Sequence, residues 1–377
     1  MHEAHKRSLD ALARRRRLRA LQPCRGLDFA SNDYLGLGTS NALQNAARAA
    51  LDRGVPVGAG ASRLLRGNHP EHEALETEAA QFFGAQSALF FAGGFQANAA
   101  LFATLPQRGD LIVHDELIHA SAHEGMAATR ATCIAFAHND PEAAGDAIDA
   151  WRRSGGKGRI WIAVESLYSM DGDTAPLDAL AAIAERHDAM LLIDEAHATG
   201  VCGPGGRGLG AMLEGRDNVV ALHTCGKALG ASGALLTLPT ILRDYMVNRA
   251  RSFIYATAPS PLTAAIARAA LKLVHDEPER RQRLAHLVDH AGALLRERCA
   301  IAPTGTQIQP LIVHRDERAL RLATVLQDNG FDVRAIRPPT VPEGTARLRL
   351  SLTLNVTIDD VSRLIDRLAP MLAQDPA

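Results

Sequence analysis

Residues 159–197 read RIWIAVESLYSMDGDTAPLDALAAIAERHDAMLLIDEAH, and this stretch decides the fold. Two short apolar runs, RIWIAVE (159–165) and AMLLID (189–194), have the length and composition of buried strands. Between them, PLDALAAIAERH (176–187) spaces Leu177, Leu180, Ala181 and Ala184 on one helical face. Pro176 is tolerated at the first turn, where its missing N–H breaks no bond. Strand, helix and strand in succession call for a crossover, so the two strands are expected to be parallel.

The alternation extends in both directions. SALFF (87–91), DLIVH (110–114), CIAFA (133–137) and NVVALHT (218–224) are further apolar runs separated by helical patterns. They predict an α/β domain with a mostly parallel central sheet over 41–260, preceded by an N-terminal arm over 1–40. One long helical stretch over 261–299 follows APSP and links to a smaller C-terminal α+β domain, the two together making up 261–377. That domain carries IQPLIV, a helix over 316–328, FDVRAIRPP, ARLRLSLT and a last helix from Thr357. Thr357 and Asp360 have capping-box spacing, and Val361, Leu364, Ile365, Leu368 and Leu372 form an apolar stripe.

Composition bounds the function. The 377 residues are 47% hydrophobic and 22% charged, which excludes a disordered or fibrous chain. Forty-one Lys and Arg against 42 Asp and Glu leave a formal net charge of -1, so no global field favours nucleic acid or an anionic membrane. The run Arg14-Arg15-Arg16-Arg17 reads as the solvated face of a helix. Cys24, Cys133, Cys202, Cys225 and Cys299 are odd in number and lack Cys-x-x-Cys spacing, as expected of free thiols in a reducing compartment. The N-terminus lacks the apolar core of a signal peptide, and no apolar run is long enough for a membrane span, so the expected location is the cytoplasm.

Three motifs lose weight on inspection. DEAH (194–197) resembles a nucleotide-hydrolysis motif, but the chain has no GxxxxGK[ST] phosphate loop to accompany it. GPGGRG (203–208) satisfies GxGxxG, yet it falls past its strand with no clear helix after it, and is read as a flexible turn. His119 and His123 are spaced i,i+4, but no carboxylate or cysteine at ligand spacing completes a site, so no metal is expected.

A fourth grouping lies at the ends of successive predicted strands. After SALFF, Gly93 and Gly94 permit close backbone approach before a helix starting near Phe95, whose N–H groups would face an anion. Ser169 follows RIWIAVE, Asp194 and His197 follow AMLLI, and Thr224 and Lys227 follow VVALH. A phosphate cradle, a carboxylate, hydroxyls, an imidazole and a lysine on one sheet edge suit pyridoxal phosphate. Its phosphate takes a helix N-terminus, its ring nitrogen a carboxylate, its phenolic oxygen a donor and its aldehyde a lysine.

SNDYLGL (31–37), GGFQAN (93–98), ESLYSMDGD (165–173), IDEAHATG (193–200), HTCGKALG (223–230) and RPPTVPEGTARLRLSLT (337–353) resemble the α-oxoamine synthases. These are fold-type I pyridoxal-phosphate transferases of the aspartate aminotransferase-like class, and the resemblance spans nearly the whole chain. It implies that Lys227 forms the Schiff base, that Asp194 pairs with the ring nitrogen and that His119 stacks on the ring and borders the substrate. Together with His197 these are the implied catalytic residues. Ser169 and His197 would approach the phenolic oxygen, while Thr224, Gly94 and Phe95 would hold the phosphate. Arg349 would take the amino-acid carboxylate, with Arg19, Asn32 and Thr340 also contacting substrate; the arginine run is then partly functional. Thr257 would reach the phosphate of a neighbouring subunit, since the group is homodimeric.

The stretch 337–353 points to the subgroup that condenses L-alanine with pimeloyl-CoA or pimeloyl-acyl carrier protein. Glycine C-acetyltransferase, which uses glycine and acetyl-CoA, is the rival within the group. A non-catalytic subunit is disfavoured because Lys227 is present. The chain departs from the group after Leu352-Thr353, where, within SLTLNV, Leu354-Asn355-Val356 stands in place of the Ala-Ala-His of many relatives.

Overall fold

The computed structural model describes residues 2–374. The chain divides into two compact units: Leu35–Ser169 with Asp173–Arg281, and the remainder, made of the residues up to Tyr34, Met170–Gly172 and those from Gln282 on.

The larger unit is built on seven strands: β1 (Ser87–Phe91), β2 (Leu111–Asp115), β3 (Thr132–Phe136), β4 (Ile160–Glu165), β5 (Met190–Asp194), β6 (Val219–Thr224) and β7 (Ala234–Leu238). Their spatial order is β1-β7-β6-β5-β4-β2-β3. Strands β2 to β6 are mutually parallel, and β7 runs antiparallel to both its neighbours, β1 and β6. β7 was not foreseen as a strand: ALLTL is a five-residue apolar run between Gly233 and Pro239, reached by a short return loop and not by a crossover helix.

Alternate residues of the inner strands β2, β4, β5 and β6 feed opposite buried faces, which is why these runs are continuously apolar, whereas the edge strand β3 is mostly exposed. Ile112, Trp161 and Leu192 pack with Ala97 and Leu101 of helix Gly94–Thr104 on one side. Val113, Ile162 and Ile193 pack with Leu177, Leu180 and Ala184 of helix Leu177–Arg186 on the other. Pro176 stands at the N-cap of that helix. Burying each large aliphatic side chain contributes roughly 1.5–3 kcal/mol, and this two-sided core fixes the register on which the site depends.

The expected helix over 261–299 is two helices, Pro261–Asp276 and Pro278–Cys299. Pro278 can begin a helix but cannot continue one. The first packs on helices Asn41–Asp52 and Pro70–Phe83 and belongs to the larger unit, so the units divide between Arg281 and Gln282, where the sequence reading had drawn the boundary at 261.

GPGGRG forms a turn, as expected, exposed over 203–205 and buried at Gly206 and Gly208. It contains the short turn Pro204–Gly206, and the chain following it wraps the fully buried Glu195. The Glu195 carboxyl accepts hydrogen bonds from Gly210 N (2.5 Å), Leu209 N (3.1 Å) and Ser166 Oγ (2.6 Å). Gly208 has φ +113°, and a Cβ there would lie 2.6 Å from Glu195 Oε2.

In the smaller unit Ala346–Ser351 is the central strand of an antiparallel sheet, between Arg334–Ile336 and Ile308–His314. Helix Asp316–Asp328 matches its expected span and packs on this sheet. The last helix, Ile358–Gln374, begins with the expected capping box: Asp360 N donates to Thr357 Oγ1 (3.2 Å) and Thr357 N to Asp360 Oδ2 (2.9 Å). Leu27 and Asp28 of the arm pair in parallel with Phe331 and Asp332. Arg17 bonds Asp316 and Glu343, so that arginine is an internal tie and not a solvated charge. Asn355, within SLTLNV, donates to Asp28 and Asp33.

Candidate active site

β1, β4, β5 and β6 all point the same way, so their C-terminal ends deliver side chains to one edge of the larger unit. A cavity opens there, lined by Gly94, Phe95, Asn98, His119, Ser121, Glu165, Asp194, Thr224 and Lys227.

One end of the cavity is an uncapped helix N-terminus. The first bond of helix Gly94–Thr104 runs from Ala97 N to Gly93 O, and Gly93 has no side chain to cap the N–H groups that precede it. A Cβ on Gly94 would lie 3.5 Å from Thr224 Oγ1, so the glycine and the threonine face one another closely. Backbone N–H groups, a hydroxyl and the positive end of a helix suit a phosphate.

Deeper in, Asp194 offers both oxygens as acceptors: Asn98 Nδ2 donates to Oδ2 (2.6 Å) and Ala196 N to Oδ1 (2.9 Å). Asn98 Nδ2 also donates to Ser121 Oγ (3.0 Å), and that oxygen lies 2.7 Å from His119 Nδ1. His119 caps helix Ala120–Ala128, with Nδ1 accepting from Ser121 N (3.2 Å). Nδ1 is therefore the acceptor nitrogen and Nε2 carries the proton of the neutral ring. Desolvation on its inner side lowers the His119 pKa; nearby Lys227 and His123 act in the same direction and Asp194 against them. A neutral imidazole tied by one nitrogen is a flat apolar face, suited to stacking.

Lys227 lies in the loop between β6 and β7, its Nζ 2.7 Å from His197 Nε2. His197 is buried in the turn after β5. Cys225, two residues before the lysine, is fully buried, and burial pushes its thiol up to about 12, so it is no nucleophile at neutral pH.

Glu165, the last residue of β4, was quoted within a motif but given no role. Its carboxyl is buried, with Oε2 accepting from Ser169 N (3.1 Å) and Oε1 left without a partner. Asn98 and Ser121 were also unassigned. The readable signal was Glu165 itself: an acidic residue ending an otherwise apolar strand, as Asp194 ends its neighbour. Ser169 touches the site through that backbone bond.

The same loop is held at its far end. His138 bonds Asp115 through Nδ1 (2.9 Å) and Asp173 through Nε2 (2.7 Å), and its ring meets Tyr168 edge-on at 4.5 Å. Burial works against the charged imidazole, but the Asp115 and then the Asp173 contacts outweigh it and raise the pKa.

The remaining expected residues form two pairs in the smaller unit. Arg349, buried on the central strand, donates to Ser351 Oγ (2.6 Å), Asn32 Oδ1 (3.0 Å) and Tyr34 OH (3.4 Å). Arg19 donates to Thr340 Oγ1 at 2.9 Å. Thr257 is exposed in the larger unit.

Residues 25–368 match the family described as aminotransferase class I and II. The chain is 42% identical to 8-amino-7-oxononanoate synthase of Chromobacterium violaceum, over 90% of this chain and 88% of the relative. It is 40% identical to the enzyme of that name from Aromatoleum aromaticum, over 97% of each. Among solved structures, 8-amino-7-oxononanoate synthase of Francisella tularensis aligns with a TM-score of 0.78 at 28% identity, over 93% of this chain and 98% of that one. A structure described as SPT with its PLP internal aldimine aligns with a TM-score of 0.83 at 26% identity, over 92% and 87%.

Proposed function

The chain belongs to the aminotransferase class I and II family, among relatives named 8-amino-7-oxononanoate synthase, and from that premise we propose that it joins L-alanine to a pimeloyl thioester. The products are 8-amino-7-oxononanoate, CO2 and the released carrier, CoA or acyl carrier protein, and the step belongs to biotin synthesis. The observation that carries this reading is the convergence of Lys227, Asp194 and an uncapped helix N-terminus on one cavity. Lysine, carboxylate and anion cradle are the three contacts that pyridoxal phosphate requires, so the residues fit the cofactor.

Lys227 would hold the cofactor aldehyde, Asp194 the ring nitrogen, His119 the ring face, and Gly94, Phe95 and Thr224 the phosphate. Ser169 and His197 serve the phenolic oxygen. When bound, the cofactor supplies an electron sink that stabilises negative charge at the amino-acid Cα. Lys227, with His197 as its hydrogen-bond partner, would take the Cα proton and later return one. Arg349 fixes the amino-acid carboxylate with a planar guanidinium already oriented by Ser351 and Asn32. Arg19, Asn32 and Thr340 contact the substrates.

The working assembly is a homodimer in the cytoplasm. The five free cysteines support a reducing compartment. No described helix is long and apolar enough to cross a membrane.

The test is a thioester-release assay crossing alanine, glycine and serine with pimeloyl, acetyl and succinyl donors. Alanine with pimeloyl is expected to dominate. Preference for glycine with acetyl would replace this reading with that of glycine C-acetyltransferase.

A further inference from the structure

Glu165 and Asp194 are register partners at the ends of β4 and β5, so adjacent strands send two carboxyl groups into one cavity. The two are furnished differently. Both Asp194 oxygens accept N–H bonds, from Asn98 and from Ala196. Glu165, 2% exposed, accepts one, from Ser169 N, and its Oε1 is buried with no partner.

An ionised carboxylate with an oxygen left unpaired away from water is strongly disfavoured. A neutral carboxyl needs instead one acceptor for its O–H. The charged groups facing Glu165 come from three elements. Asp194 on β5 and Asp115 on β2 oppose a further negative charge, and Lys227 in the loop after β6 favours it. Burial is the largest influence, the two aspartates add to it, and the carboxyl is held well above the usual range. Two carboxyl groups sharing a site divide their roles in this way, one charged and one protonated.

We propose that Glu165 acts as a neutral carboxylic acid, donating a hydrogen bond from Oε1 to an anionic oxygen of the cofactor bound in the cavity. A neutral donor polarises that oxygen without placing a second negative charge beside Asp194, whose own charge serves the ring nitrogen. The proposal rests on the reading of the cavity as a pyridoxal-phosphate site.

Infrared difference spectra between the wild-type holoenzyme and Glu165→Gln test the protonation state directly. A protonated-carboxyl band at neutral pH that shifts in heavy water and vanishes in Glu165→Gln is expected; a carboxylate band in its place overturns the proposal. The dissociation constant for pyridoxal phosphate tests the contact. Glu165→Leu should raise it about tenfold, while Glu165→Gln, which keeps a donor and an acceptor, should stay within about threefold. Equal affinity in wild type and Glu165→Leu overturns the proposal. Should Glu165→Leu fail to fold, the spectra of the other two proteins still decide. Failure of the underlying reading looks different: the wild-type protein would then take up no pyridoxal phosphate.

Discussion

Lys227 Nζ lies 2.7 Å from His197 Nε2. A protonated lysine and a doubly protonated imidazole have donors alone, so while this bond holds the pair lacks at least one proton. An ammonium donating to a neutral imidazole satisfies the bond, and His197 is then placed to accept the proton that Lys227 must lose before it attacks an aldehyde. Borohydride reduction of the holoenzyme should fix the cofactor on the peptide containing Lys227, read by mass spectrometry. Lys227→Ala should show no such label and lose at least about 10²–10⁴-fold in turnover. Label on another lysine would remove the assignment.

Asn98 joins Asp194 to His119 through Ser121, so the carboxylate and the imidazole are positioned together. Asn98→Ala leaves a buried carboxylate oxygen short of a donor, a loss of roughly 1.5–3 kcal/mol for a bond to a charged group. The expected fall in kcat/KM is about 10–100-fold. Ser121→Ala should cost less, and the double variant should be non-additive by at least about 0.5 kcal/mol. Additive losses would show that the two ends act separately.

Arg349 is oriented by Ser351, Asn32 and Tyr34. A lysine keeps the charge but not the planar fork, so Arg349→Lys should raise the KM for alanine about 10–100-fold and change kcat less. Initial rates at saturating thioester measure this. An unchanged alanine KM with a raised thioester KM would reassign Arg349 to the acyl donor.

The parts of this molecule legible in sequence are those that local chemistry fixes. Six of the seven strands of the large sheet read as apolar runs, five of them buried throughout between helices while the edge strand β3 is mostly exposed, and the Thr357 capping box is set by residues three apart. β7 escaped because its antiparallel course depends on a return loop, which carries no helical pattern. The break at Pro278 was readable and was passed over in favour of helical composition on both sides. Lys227 and Asp194 stood out as polar residues closing apolar strands or their loops. Glu165 has the same signature, but its meaning depends on lying in register with Asp194, and register is a property of the folded sheet. Glu195 shows the converse: within DEAH it suggested chemistry, and the fold spends it on holding a glycine loop.

His138 joins three segments that meet only in the fold, the end of β2 at Asp115, its own loop after β3, and Asp173 beyond the Ser169 loop. Its pKa is raised: burial opposes the cation, but the two aspartates prevail. A group whose folded pKa exceeds its unfolded value near 6.5 adds stability that is complete below that value. The contribution is lost as pH rises through the folded value. Urea midpoints should therefore fall on the alkaline side of about pH 6.5, and His138→Gln should flatten that part of the profile. Because the imidazole is partly open to solvent, the pH-dependent share should not exceed about 1 kcal/mol. The loop it anchors carries Ser169, whose N–H bonds Glu165, so cofactor affinity should weaken over the same range in the wild type. Equal slopes in wild type and variant, for both stability and affinity, would show that the ion pair is ornamental to the site.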